Sequence, residues 1–187
     1  MNYNDIVKER RSIRSFLDKD VSTELIYKLL DYGHAAPSAG NIQPWEFIII
    51  RNEENKRAVV DTTFIGRDEK NGKPQEWMMT APVFIVVCGN QEKVRQRYGD
   101  TSLDSILYLD TSACIENILL GAVYLGLGSC YVSGFRKDEL VKVLRLPEDY
   151  QPIAILPIGY SNEVPYKRPK INVKKIIHFE IFGEQRS

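Results

Sequence analysis

Three arginines and a hydroxyl residue fall within five consecutive positions, Arg10-Arg11-Ser12-Ile13-Arg14. Guanidinium groups present rigid forks of donors that match the oxygens of a phosphate. Further along comes Ala36-Pro37-Ser38-Ala39-Gly40-Asn41-Ile42-Gln43-Pro44-Trp45, rich in turn residues and side-chain amides, and it leads straight into an apolar run. The first segment suits a phosphate and the second a polar ring, so the pair points to a nucleotide-like cofactor. An arginine cluster taken alone more often marks a solvated face at the end of a helix. Its pairing with the second segment is what favours the cofactor.

Other chemistries lack their residues. Neither GxGxxG nor GxxxxGK[ST] occurs, so a bound phosphate would be held by arginine side chains, not by a glycine-rich loop at a helix N-terminus. His34 and His178 are far apart and fit neither a Ser-His hydrolase nor a metal site. Cys88, Cys114 and Cys130 lack metal-ligand spacing and lie in apolar runs, as buried structural thiols do. Charge balances at 25 basic and 25 acidic residues, which gives no field that would draw nucleic acid. No uninterrupted apolar run reaches the length of a membrane span, and Met1-Asn2-Tyr3-Asn4-Asp5 has no signal-peptide character. A cytoplasmic protein without a membrane partner is the expectation. At 187 residues, one domain over 1–187 is expected, large enough to bury a core.

The elements that must position these residues can be read along the chain. Asn4 to Glu9 reads as a short helix that ends in the arginine cluster. Val21-Ser22 looks like a hydrophobic staple and N-cap before a helix with Leu25, Ile26, Leu29 and Leu30 on one face. Trp45 to Ile50 is a strand, Glu54 to Val60 a helix, and Pro82 to Cys88 a strand apolar throughout and hence buried on both faces. The polar stretch 61–74 between them reads as a mobile loop at the pocket entrance. Leu103 to Leu127 is helical in length and apolar on most sides, so it must be covered on most sides. In so short a chain that suggests a second subunit, although a central helix in a monomer satisfies the same pattern. Gly126-Leu127-Gly128 stops it, Ser129 to Ser133 is a short strand or extended loop, Arg136 to Arg145 an exposed helix, and Pro152 to Tyr160 a third strand. A basic, proline-flanked loop, Pro165 to Pro169, and a loosely alternating tail, Ile176 to Phe182, follow. Irregular alternation of helices and strands argues for an α/β or α+β sheet layered by helices.

These motifs together resemble the nitroreductase family of FMN-dependent oxidoreductases, over nearly the whole chain. Arg10 to Phe16 resembles the family's phosphate-binding motif, and Ala36 to Trp45 its second and most specific one. Ala113 to Asn117 with Leu125 to Tyr131 resembles the core helix and its glycine turn. Ile158-Gly159-Tyr160 followed by Lys167-Arg168 resembles the C-terminal phosphate clamp. The resemblance implies an α+β fold with a mixed, mostly antiparallel central sheet flanked by helices. It also implies an intertwined homodimer with C-terminal strand exchange and FMN sites at its interface.

By the same resemblance, Arg10, Ser12 and Arg14 would contact the FMN phosphate and ribityl chain, with Arg11 contributing partly through its backbone. Lys167 or Arg168 would close from the other side. Pro37, Ser38, Ala39 and Asn41 would reach the flavin held by the partner. Tyr131, Val132, Ser133 and Gly134 would line the isoalloxazine, with a backbone N–H near N5. Ser133 stands where some members carry glutamate, which leaves substrate preference open. Gln75 is the candidate for the pyrimidine edge. The implied activity is transfer of a hydride from NADH or NADPH through the flavin to a nitroaromatic, quinone or similar small oxidant by a ping-pong scheme, with no catalytic side chain and no metal. The alternatives are another flavin enzyme on this scaffold (a reductive dehalogenase or a flavin-fragmenting synthase) or a non-enzymatic flavin-binding protein.

Overall fold

The first helix of the computed structural model, α1 (Tyr3–Glu9), opens with a capping box in which the Asn2 side chain accepts from the Asp5 N–H and Asp5 accepts from the Asn2 N–H. The structure describes residues 1–184. The elements that follow are α2 (Thr23–His34), β1 (Trp45–Ile50), α3 (Glu53–Asp61), β2 (Val83–Asn90), α4 (Gln91–Tyr98), α5 (Ile106–Tyr124), β3 (Gly128–Ser129), α6 (Lys137–Leu144) and β4 (Tyr150–Gly159). Ser22 caps α2 by accepting from the Leu25 N–H, as its position predicts. The helix α4 has no counterpart in the sequence reading. Only Val94 of its eight residues is buried, so it carries no apolar period to read.

The strands form one sheet in the order β1-β2-β4-β3, antiparallel at every pairing. A mixed sheet was expected. The chain leaves the sheet after Gly159, and among the described residues nothing beyond it adds a parallel strand; the one parallel contact is an isolated bridge between Ser12 and Ser129. The strand β2 is buried at all eight positions because helices cover both faces. Its side chains alternate: Val83, Ile85 and Val87 pack with α2 and α5, while Phe84, Val86 and Cys88 pack with α3 and α6.

The long helix α5 lies across the first of these faces, against α2 and the sheet. It crosses α2 closely. A Cβ at Gly121 would stand 2.4 Å from Tyr32 Cδ2, and Asn117 Nδ2 donates to the Tyr32 carbonyl at 3.1 Å. The helix ends as predicted, in a Schellman motif: Gly126 takes φ +73°, its N–H donates to Val123 O, and the Leu127 N–H donates to Ala122 O. The stretch 100–124 is long and apolar enough to cross a membrane by length and composition only, a test that a packed core helix also passes. Its packing accounts for the apolarity on one side, where Leu107, Cys114, Ile115 and Ile118 are fully buried. On the other side Tyr108, Leu109 and Tyr124 are exposed in the single chain.

Candidate active site

The arginine motif owes its shape to two buried apolar residues. Arg10 is the C-cap of α1, and the chain then runs extended beside the sheet. Ile13 donates its N–H to the Ser129 carbonyl at 2.9 Å and packs against Gly128, where a Cβ would stand 2.9 Å from it. Phe16 is buried at the end of β4, bridged to Ser161, and Leu17 donates to the Tyr160 carbonyl at 2.8 Å. With Ile13 turned inward, Ser12 and Arg14 project to the other side of the extended chain.

There they line a cleft of about 1020 Å³. Arg10, Arg11, Ser12 and Arg14 form one wall, and Tyr166, Lys167, Arg168 and Lys170 form the other. Residues more than 150 positions apart are thus brought around one space, a convergence that the family resemblance implies. The cleft also holds Glu163, which the sequence reading missed; its carboxylate accepts the Arg14 N–H at 2.5 Å and so fixes the backbone that carries the guanidinium. Arg10 Nε lies 3.7 Å from Glu116 of α5, a loose and half-exposed pair that leaves its other donors available.

A second cleft of about 470 Å³ shares Arg14 with the first. Its walls are Cys130 to Gly134 on one side and Phe64 to Gly66 on the other, with Gln75 and Trp77. The Arg14 guanidinium stands 5.8 Å from the Trp77 ring centre. Val132 exchanges hydrogen bonds with Ile155, which ties this wall to β4. Among the described residues no hydrogen bond takes the Ser133 or Gly134 N–H, so both remain as donors beside the cleft. Gln75 lines it too, but its amide nitrogen already donates to the carbonyls of Phe64 and Gly134, each at 3.2 Å. Gln75 can therefore offer only its carbonyl oxygen, an acceptor suited to an N–H of a bound ring. Phe64, Ile65 and Gly66 lie in the stretch 61–74 expected at the pocket entrance, though its polarity singles out none of the three as a wall residue.

The thiol of Cys130 is pushed up by burial, against the opposing pull of the nearby arginines and Ser12. Burial also lifts Cys88 and Cys114 to about 12, and all three thiols are free and buried, as expected. No group of His, Cys, Asp and Glu suited to a metal occurs among the described residues.

The segment 37–41 is the part the structure does not bring to either cleft. Its Ala39 N–H donates to both oxygens of Asp110, a buried carboxylate of α5, at 3.1 and 3.2 Å. Desolvation raises the pKa of Asp110 above the ordinary value despite that bond. Ser38 accepts the Gln43 N–H on Oγ at 2.9 Å, and Gly40, Asn41 and Gln43 all take positive φ. Nothing in its own apolar surroundings marks Asp110 as the partner of a loop 71 residues away.

A basic cavity joined through one arginine to a cavity with aromatic walls and free N–H donors fits a ligand with an anionic end and a flat polar ring, as FMN has. Comparison with known proteins agrees. The family model described as the Nitroreductase family matches residues 7–160. A Methanothermobacter thermautotrophicus protein named "Putative NADH dehydrogenase/NAD(P)H nitroreductase" is 33% identical over 96% of this chain and 87% of its own. An "FMN reductase [NAD(P)H]" of Bacillus subtilis is 26% identical over 97% of this chain and 76% of its own. A crystal structure of a nitroreductase family protein from Clostridium difficile superposes with a TM-score of 0.81 at 28% identity, covering 97% of this chain and all of the other.

Proposed function

This chain belongs to the nitroreductase family, and from that premise we propose that it is a single-domain, homodimeric FMN oxidoreductase that uses NADH or NADPH to reduce a nitroaromatic, a quinone or a similar small planar oxidant. The observation that carries this reading is the meeting of the basic and the aromatic cleft at Arg14. When bound, FMN supplies two-electron transfer between a nicotinamide and the oxidant.

The residues of the chain supply binding, orientation and charge. Arg10, Ser12, Lys167 and Arg168 hold the phosphate by charge-assisted hydrogen bonds. Arg14, common to both clefts, would hold a bound flavin from both and would offer positive charge to stabilise its reduced, anionic form. The Ser133 or Gly134 N–H would serve as donor to the ring, and Gln75 Oε1 would serve as acceptor for a ring N–H. No side chain in either cleft is required as acid or base. One cleft faces the ring, so donor and oxidant occupy it in turn, which gives ping-pong kinetics.

What one chain leaves uncovered supports the dimer. Segment 37–41 touches neither of its own clefts. Tyr108, Leu109 and Tyr124 of α5 are exposed, as are Ile171, Val173, Ile176, Ile181 and Phe182 of the tail. A twofold partner that covers α5 and takes the tail onto its sheet removes this apolar surface from water and brings 37–41 to the other chain's flavin.

The test is the absorption spectrum of FMN-loaded protein under anaerobic conditions. NADH or NADPH should bleach the flavin band, and a nitroaromatic or a quinone should restore it. Failure of both donors to bleach the flavin refutes the reading.

A further inference from the structure

Arg136 stands at the start of α6, outside both clefts, yet it reaches the polar segment 61–72 at four backbone carbonyls. Its Nη1 donates to Asp61 O at 3.3 Å and to Thr63 O at 3.4 Å. Its Nη2 donates to Gly72 O at 3.0 Å and, more weakly, to Lys70 O at 3.5 Å. Its own N–H donates to Thr62 O at 2.8 Å. The nearest carboxylate, Glu139, is 3.9 Å away, so carbonyl oxygens are the main partners of this guanidinium. A planar fork with five N–H groups can bind both limbs of a folded-back segment at once, and a lysine cannot.

That segment carries Phe64, Ile65 and Gly66, one wall of the aromatic cleft. Two sets of bonds fasten it. Gln75 and the Phe64 N–H join Phe64 to Gly134 at the base of the wall. The rim, Ile65 and Gly66, is exposed and has little packing of its own. It is held through the other limb: Ile65 donates to Lys73 O, and the limb itself is bound by Arg136. The two limbs are in close contact, for a Cβ on Gly72 would stand 2.8 Å from the Phe64 Cβ.

We propose that Arg136 is a specificity-determining positioning residue that fixes the Ile65–Gly66 rim and so sets the width of the cleft through which oxidants reach the flavin. The proposal rests on reading this cleft as the oxidoreductase site. Loss of the guanidinium frees the rim while the phosphate contacts in the neighbouring cleft stay intact. Bulky oxidants then enter more readily and compact ones are held less well, and the change falls on KM more than on kcat.

The test uses FMN-loaded Arg136→Ala and Arg136→Lys, each checked for a wild-type melting transition. Hydrogen exchange of the amides at 65–72 should quicken about tenfold or more in Arg136→Ala. It should quicken less in Arg136→Lys, which keeps the charge but not the fork. The ratio of kcat/KM for a tricyclic quinone to that for nitrobenzene should rise about fivefold or more in Arg136→Ala, with FMN affinity within about twofold of wild type. Unchanged exchange at 65–72 in both variants overturns the proposal, and so does faster exchange with an unchanged ratio. Absence of NAD(P)H turnover in the wild type would instead refute the proposed function. The exchange measurement, together with quenching of flavin fluorescence by small and bulky quenchers, would then decide the role of Arg136.

Discussion

Replacing Asp110 by alanine tests whether a buried charge in α5 shapes segment 37–41, proposed above to reach the partner's flavin. Asp110 as a residue is only 8% exposed, and the Ala39 N–H is the donor that meets its carboxylate. Two terms oppose each other. Alanine strands the Ala39 N–H, which costs about 1–3 kcal/mol for a buried donor left unpaired. It also removes a desolvated charge, whose burial is the larger influence on the raised pKa of Asp110. The net expected loss is therefore at the low end, about 1–2 kcal/mol, read as a lower urea midpoint at neutral pH. Asparagine keeps an acceptor without the charge and should lose less than about 1 kcal/mol. The pH dependence has a definite sign. With the folded pKa above the ordinary value, protonation favours the folded state. The wild type is thus most stabilised, relative to Asp110→Asn, below the ordinary pKa, and that advantage is lost as pH rises through the folded value. Flavin affinity supplies the functional readout: Asp110→Ala should bind FMN several-fold more weakly, and Asp110→Asn should restore most of it. Wild-type stability and wild-type flavin affinity in Asp110→Ala would refute the reasoning.

Arg10→Ala and Arg14→Ala should each weaken FMN binding about ten- to a hundredfold, the equivalent of a lost charge-assisted contact of about 1.5–3 kcal/mol, with little change in urea midpoint. Unchanged affinity in both variants, measured by fluorescence titration, would make the cluster a surface feature. Cys88 and Cys114, held near 12 by burial, should resist thiol reagents in the native protein and react only as it unfolds; rapid labelling before unfolding would contradict this. Deleting the residues after Lys170 should weaken both dimer and flavin binding, and a truncated chain that sediments as an FMN-loaded dimer at low micromolar concentration would refute the tail's role.

What could be read from the sequence divides by distance along the chain. Ser22 before an apolar period, the continuous apolar run of β2, and Gly126 after α5 are local signals, and each marks its element correctly. The helix α4 lacks such a signal because one buried valine suffices to seat it. The basic cleft was legible because arginines are a chemical signature whatever their surroundings. Asp110 and Arg136 were not, because each acts on backbone groups more than sixty residues away, and a carbonyl or an N–H leaves no mark in the sequence. The polar composition of 61–74 suggested mobility. The structure places the segment at the cleft as expected, but with stems fastened by one guanidinium and one amide.

The geometry of 37–43 bears on why the site should need two chains. Asn41 and Gln43 take φ of 57° and 46°, a region that costs an L-residue roughly 1–2 kcal/mol each. Such strain persists where the surroundings over-determine the backbone, and it gathers at binding sites. Here the supports lie within the chain: Asp110 on the Ala39 N–H, Ser38 Oγ on the Gln43 N–H, the Ser38 carbonyl on the Asn41 N–H, the Gln43 amide on the Asn41 carbonyl and Lys93 on the Gln43 carbonyl. They hold the segment in shape without giving it a ligand, since it borders neither cleft of its own chain. A pre-shaped segment with nothing of its own to bind is what a shared site requires of each partner. In the homodimer proposed here, the phosphate half of each site is complete within one chain, and only the ring half depends on the other. Dilution that separates the chains should therefore weaken FMN binding without abolishing it, whereas Arg14→Ala should weaken it at every protein concentration. Flavin affinity independent of protein concentration across the dissociation of the dimer would show that 37–41 makes no contact with the partner's cofactor.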